Sequence, residues 1–75
     1  MKVEYYPETD SLYIDLSEKT SIDSQEIVEG VVVDFDEKGN VVGIDIDNAS
    51  KKVDLGGLTL DLPFIKQKVN VKKTL

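Results

Sequence analysis

Apolar and polar residues alternate along much of this chain, and that period of two constrains the fold more than any other feature. Successive side chains of a β-strand point to opposite faces, so alternation predicts strands that are apolar on one face only. The pattern is clearest over residues 2–6, 11–16 and 41–47. We therefore expect a mainly β (small α+β) protein built from antiparallel hairpins.

A first hairpin is predicted around the turn formed by residues 7–10. Pro7 presets a backbone angle that suits a turn, and Asp10 can hydrogen-bond locally there. A one-residue slip would send every side chain to the other face, so the apolar positions fix the register. The resulting pairs are Tyr5 with Leu12, Val3 with Ile14, Lys2 with Asp15 and Glu4 with Tyr13.

A second hairpin is predicted from residues 27–36 and 41–47, because both are rich in Val and Ile and flank a turn containing Gly39 and Asn40. Its apolar register pairs Phe35 with Val42, Val33 with Ile44 and Val31 with Ile46. Gly30 interrupts the alternation and indicates a bulge or bend. Residues 17–25 are polar and Ser-rich, which predicts a loop.

The remainder of the chain predicts a short helix and one or two further strands. Asn48 or Ser50 can cap a helix start, and the glycines at 56 and 57 can end it. Residues 58–62 alternate again, as do Val69 and Val71. We expect a four-stranded sheet made of the two hairpins, with the helix and C-terminal strands over its apolar face, in one domain of residues 1–75.

Charge divides the chain into two unlike parts. The net charge is −6, but residues 1–50 hold thirteen acids and three lysines, a net −10, whereas residues 51–75 hold two acids and six lysines, a net +4. We expect this basic, apolar C-terminal segment to lie against the acidic body of its own or a neighbouring subunit. The chain contains no Arg, and acids repel phosphate, so a nucleic-acid partner is not expected.

Missing residue types exclude several kinds of site. With no Cys and no His, the chain has no thiolate or imidazole metal site and no histidine-based nucleophile. No apolar run approaches the roughly 18 residues that a membrane helix needs. We expect a soluble cytoplasmic protein without a cofactor.

Two long motifs carry a family resemblance. They are Tyr6-Pro7-Glu8-Thr9-Asp10-Ser11-Leu12-Tyr13-Ile14 and residues 30–50, from Gly30-Val31-Val32-Val33-Asp34-Phe35-Asp36 to Ala49-Ser50. Over roughly residues 2–50 the chain resembles the small prokaryotic family catalogued as domain of unknown function 2283, although Phe35 replaces a usual Tyr and Asp45 a usual Glu. The resemblance implies a compact mainly β domain with a short helix, and it assigns no catalytic or binding residue.

The acids of the second hairpin are the candidates for chemistry. Asp34 and Asp45 would be diagonal neighbours on the outer face, where acids can hold a hard cation or act as an acid/base pair. This gives one hypothesis, a carboxylate-based or metal-assisted hydrolase, with Asp34, Asp36, Asp45 and Asp47 as weak metal candidates. The other interpretation is a solvated acidic face. Residues 34–39 resemble the start of a calcium loop, but Lys38 stands where the third ligand belongs.

Aromatic and apolar residues outside the core predict an interface. The candidates are Tyr6, Tyr13, Leu58, Leu60, Leu62 and Phe64. We expect a non-enzymatic protein-interaction domain that acts as a homodimer, with a basic protein as a further partner in an antitoxin-like role. Whether residues 57–75 pack in cis or onto a neighbouring subunit is left open by the sequence.

Overall fold

Five antiparallel strands form the main sheet of the computed structural model, which describes residues 1–57, 59–62 and 67–70. The strands are β1 (Lys2–Tyr6), β2 (Ser11–Asp15), β3 (Asp23–Val28), β4 (Val31–Phe35) and β5 (Val41–Ile46). Their order across the sheet is β1-β2-β5-β4-β3. The mainly β, antiparallel prediction is confirmed, with one strand more than the expected four.

A short helix and a second, smaller sheet follow. The helix α1 spans Ala49–Lys52, and the strands β6 (Thr59–Leu62) and β7 (Gln67–Asn70) pair with each other in a two-stranded antiparallel sheet. The predictions of a short helix and of C-terminal strands are confirmed, while Val71 lies outside the described residues. In the part of the chain that the structure describes, no helix has the length and apolar character needed to cross a membrane.

The first hairpin has the register expected from its alternation. Lys2 pairs with Asp15, Val3 with Ile14, Glu4 with Tyr13, and Tyr5 with Leu12. The turn between the strands is closed by the amide of Thr9, which donates to the carbonyl of Tyr6 at 3.3 Å. The apolar pattern was therefore sufficient to define this register.

The second hairpin departs from its predicted register at one end. Val33 pairs with Ile44 and Val31 with Ile46 as expected, but Phe35 pairs with Val41 rather than Val42. The register shifts between Asp34 and Phe35. This irregularity inserts one residue beside the turn, so the predicted Phe35–Val42 pair is wrong by one position.

Strand β3 corrects the prediction for the middle of the chain. Residues 17–25 were expected to form a loop, yet Asp23–Val28 pairs with β4. Gly30 has a φ of 79° and lies in the tight turn between β3 and β4, so it marks a turn and not a bulge within one long strand. Every residue of β3 is exposed, so the strand has no buried face and its sequence shows no apolar alternation.

The core lies where the helix region meets the first hairpin. Leu12 is 2% exposed and packs in one cluster with Ala49 and Leu55. Partly buried apolar side chains surround this cluster: Val3, Tyr5, Ile14 and Ile46. Burying a side chain such as Leu12 contributes about 1.5–3 kcal/mol, so the contact between β2 and the α1 region stabilises the arrangement of the first fifty residues.

Candidate functional site

The outer face of the sheet brings together the acids that the sequence singled out. Asp34 in β4 pairs with Gly43 of β5, and Asp45 in β5 pairs with Tyr13 of β2. Asp34 and Asp45 are therefore diagonal neighbours, as the alternation predicted. Tyr13 lies on this same face, so the face combines two carboxylates and a phenol.

Tyr13 extends across β5 to reach β4. A Cβ atom added to Gly43 would lie 2.7 Å from Cζ of Tyr13 and would overlap the hydroxyl, so the ring passes directly over this glycine. The Tyr13 hydroxyl then donates to Oδ2 of Asp34 at 3.0 Å. Glycine at position 43 thus provides the space in which a side chain of β2 contacts a side chain of β4.

The second oxygen of Asp34 is also occupied. The hydroxyl of Ser24 in β3 donates to Oδ1 of Asp34 at 2.6 Å. One carboxylate therefore accepts hydrogen bonds from β2 and from β3 while it is carried by β4. Charge-assisted hydrogen bonds are among the stronger ones in proteins, so this side chain ties three strands together on the outer face.

The pKa values on this face shift in directions that match its geometry. Burial raises the pKa of the Tyr13 hydroxyl above 10.0, and its hydrogen bond to Asp34 raises that pKa further. The phenol therefore stays protonated at neutral pH and keeps donating. Burial also raises the pKa of Asp45 above 3.8, with smaller contributions from the charges of Asp47 and Asp34. Asp45 is thus the acid on this face whose charged form is disfavoured.

Asp36 belongs to the β4–β5 turn and not to the outer face. It is 8% exposed, and its Oδ1 accepts the backbone amides of Lys38 and Asn40, each at 2.9 Å. Its Oδ2 accepts the side-chain amide of Asn40 at 3.2 Å. The backbone amide of Asn40 is the main cause that lowers the pKa of Asp36. Asp36 follows the last residue of β4, so its carboxylate serves the turn that leads into β5.

The acids do not converge as metal ligands would. Asp36 directs its carboxylate at turn amides, and Asp47 is exposed at the end of β5, 3.5 Å from the hydroxyl of Ser11. Across residues 1–57, 59–62 and 67–70, no three acidic side chains are placed so that they could hold a metal ion. The sequence match of residues 34–39 to a calcium loop therefore describes a turn stabilised by its own carboxylate.

Asp10, which the sequence places in the turn of the first hairpin, makes long-range contacts that the sequence did not predict. It has a left-handed backbone with φ of 53°, and its Oδ1 accepts the Tyr5 hydroxyl at 2.7 Å and the Ser50 amide at 3.0 Å. Its Oδ2 accepts the Ser50 hydroxyl at 2.7 Å, and its carbonyl accepts the amide of Ala49 at 2.9 Å. The hydrogen bond to Asp10 is the main cause that raises the pKa of Tyr5.

These contacts correct the predicted helix cap. Asn48 occupies the N-cap position of α1 but makes no side-chain capping bond. The carboxylate of Asp10, from the turn of the first hairpin, accepts the helix amide instead. A signal was present in the sequence, since Asp10 in a turn and Ser50 after a strand are both of residue types that cap helices, but nothing local linked them.

An exposed apolar edge is the second feature of the surface. Every residue of β3 is exposed, and Ile27 and Val28 are each 60% exposed. Ile22, which directly precedes the strand, is 65% exposed. Sequence reasoning did not single out this edge because residues 17–25 were interpreted as a loop.

The predicted interface residues fall in three different places. Tyr6 is 41% exposed on β1, whereas Tyr13 is half-buried and hydrogen-bonded within the chain. Leu60 and Leu62 belong to β6. Leu58 and Phe64 lie outside the described residues. The interface assigned to these six residues stays a prediction.

Comparison with known families finds a match that covers most of the chain. The family model described as "Protein of unknown function (DUF2283)" matches residues 2–50. This range contains all five strands of the main sheet and the Asp10–Ser50 contact. The comparisons with curated proteins and with solved structures found no match.

Proposed function

We infer, given that this chain belongs to the family described as Protein of unknown function (DUF2283), that it is a small non-enzymatic protein-interaction domain acting as a homo-oligomer. The exposed edge strand β3 is the observation that carries this proposal. An edge strand presents unpaired backbone amides and carbonyls to any chain that can add a strand. On β3 those groups are accompanied by Ile27 and Val28, each 60% exposed.

The same edge carries features that restrict which partner can pair with it. Asp23 and Glu26 are charged residues on the strand, and the register with β4 shifts between Glu26 and Val28. Charges and bulges on an edge discourage indiscriminate pairing. A basic partner is attracted by Asp23 and Glu26, whereas an acidic one is repelled. The edge therefore favours selective association over general aggregation.

The acids of the outer face support an interaction domain better than a hydrolase. Asp34 accepts one hydrogen bond at each oxygen, from Tyr13 and from Ser24, so both of its oxygens take part in holding strands together. The alternative hydrolase rests on Asp45, whose pKa burial raises, which is the direction that a general acid needs. That alternative still needs a second available carboxylate, and the neighbour the sequence assigned to it is Asp34.

We further propose that this interaction domain has an antitoxin-like role. Residues 1–50 carry a net charge of −10, from thirteen acids and three lysines. Opposite charge accelerates encounter with a basic protein and selects against acidic ones. The proposed external partner is therefore a basic protein that meets the acidic sheet.

Light scattering coupled to size exclusion tests the homo-oligomer directly. The full chain is examined across about a hundredfold range of concentration, because association depends on concentration. We expect a mass twice the 8.3 kDa of one chain at the higher concentrations. Ile27→Ser should weaken the dimer, whereas Leu16→Ser, at a side chain 37% exposed after β2, should not. A monomer at every concentration would overturn the proposal.

A further inference from the structure

We propose that strand β7 of one copy adds to the open edge of β3 in a second copy, so that two copies exchange their C-terminal hairpins. This inference rests on the homo-oligomer proposed above and names the two surfaces that form it. The acceptor is β3 (Asp23–Val28), and the donor is β7 (Gln67–Asn70).

The first argument concerns the stability of the small sheet. β6 and β7 form a two-stranded sheet of their own, separate from the five-stranded one. Its pairs run from Thr59 with Asn70 to Leu62 with Gln67. A two-stranded hairpin alone is marginally stable in water, and a third strand gives it further backbone hydrogen bonds and side-chain packing. β3 is a strand at the end of the main sheet that can supply this third position.

The second argument is charge complementarity. β3 carries Asp23 and Glu26 and is followed by Glu29, whereas β7 carries Lys68. The C-terminal 25 residues have six lysines against two acids, a net +4. Opposite charges across a strand pair stabilise it and like charges destabilise it. Two β3 edges facing each other would bring acids together, so a basic strand is the better occupant.

The third argument is apolar burial and symmetry. Ile27 and Val28 are each 60% exposed, and Val69 lies between Lys68 and Asn70 in β7. Strand addition would remove part of the apolar surface of Ile27 and Val28 from water. Every copy offers one β7 and one β3, so a two-fold arrangement in which each copy donates β7 to the other forms this contact twice and leaves neither strand open.

Charge reversal tests this arrangement by light scattering on the full chain. Glu26→Lys alone and Lys68→Glu alone should each raise the dimer dissociation constant about tenfold or more, because two symmetric contacts change from attraction to repulsion. The double variant Glu26→Lys/Lys68→Glu should restore the dimer. The Glu26 side chain also accepts a hydrogen bond from the Gly30 amide, so Glu26→Lys could impair folding. Asp23→Lys should weaken the dimer equally and is the second variant for that case.

Matched controls carry the same charge changes elsewhere. Glu4→Lys lies on β1 at the opposite edge, and Lys19→Glu lies in the exposed segment before β3. Both should leave the dimer unchanged. Carbodiimide cross-linking of the wild-type protein should give a covalent dimer in which Lys68 is joined to Asp23 or Glu26.

The outcomes separate the two proposals. A wild-type monomer overturns the homo-oligomer itself. A dimer that ignores both single reversals overturns only the β3–β7 exchange, and places the hairpin in cis or the contact elsewhere. A dimer strengthened by Glu26→Lys shows that Glu26 does not face a basic residue across the contact, which also overturns the exchange. Cross-links from Lys68 only within one chain have the same consequence.

Discussion

Asp10 and Ser50 are forty positions apart in sequence and are joined by two hydrogen bonds. The Ser50 amide donates to Oδ1 at 3.0 Å and its hydroxyl donates to Oδ2 at 2.7 Å. The carboxylate therefore fixes the turn of the first hairpin to the start of α1. Both residues lie within the motifs by which the chain resembles its family, so the two motifs meet in space at this contact.

Substitution of Asp10 should destabilise the protein more than substitution of its partner. Asp10→Ala removes the acceptor for Tyr5 and Ser50 together and places Ala at a φ of 53°, so we expect a loss of about 1–3 kcal/mol or more. Ser50→Ala removes only the hydroxyl bond and should cost about 1 kcal/mol. Urea denaturation followed by circular dichroism measures both.

Asp10→Asn is the matched control for backbone conformation. Asn tolerates the left-handed region and retains one side-chain oxygen, so its effect should fall between those of Asp10→Ala and Ser50→Ala. Equal stability of Asp10→Ala and Ser50→Ala would contradict the view that Asp10 holds more than one donor.

Gly43→Ala should remove the contact between Tyr13 and Asp34. The new methyl group would overlap the Tyr13 hydroxyl, which has to move away from Asp34. We expect a loss of about 1–3 kcal/mol from crowding. Tyr13→Phe deletes the same hydrogen bond without crowding and should cost about 1 kcal/mol.

A cycle of Gly43→Ala with Tyr13→Ser, which removes the whole ring, decides whether Gly43 is required because Tyr13 crosses it. If Gly43 matters because Tyr13 crosses it, Gly43→Ala should cost much less in a Tyr13→Ser background than in the wild type. Thermal denaturation of the four proteins in this cycle gives the coupling. Strict additivity would show that Gly43 is required for some other reason.

Asp36 should make stability fall in acid. Its pKa is lowered in the folded protein, chiefly by the backbone amide of Asn40, so folding favours the ionised carboxylate. That stabilisation is complete above the ordinary value of 3.8 and is lost as the pH falls through the lower, folded pKa. Asp36→Asn should therefore be less stable than the wild type at neutral pH, with a gap that closes as the pH falls below 3.8 and through the lower, folded pKa.

Glu37→Gln is the control for this pH effect, because it removes one negative charge from the same turn at an exposed position. Its stability should follow that of the wild type from neutral to acidic pH. Denaturant midpoints measured at intervals across this range provide the comparison. A gap for Asp36→Asn that stays constant with pH would rule out the carboxylate as the titrating group.

The features predictable from sequence were those encoded by local alternation. Leu12 and Ile14 defined the first register because a slip would have exposed them. β3 could not be found in this way, since an edge strand with all residues exposed needs no apolar face. The contact between Asp10 and α1 was also hidden, because Ser50 lies forty residues away in sequence. Local sequence patterns therefore identify strands that build a core, but they do not reveal exposed edge strands or long-range hydrogen bonds.

The strand order places the largest loop-closure cost of folding at one strand pair, β2–β5. The pairs β1–β2, β3–β4 and β4–β5 join neighbours in sequence, so each can close as a local hairpin. Only β2–β5, within the main sheet, brings distant segments together, as when Leu12 meets Ile46. Chain-closure entropy for the sheet is therefore concentrated in a single docking event between a hairpin and a three-stranded meander. Asp10 and Ser50 lie just beyond the end of the β2–β5 pair, and their hydrogen bonds stabilise the docked state.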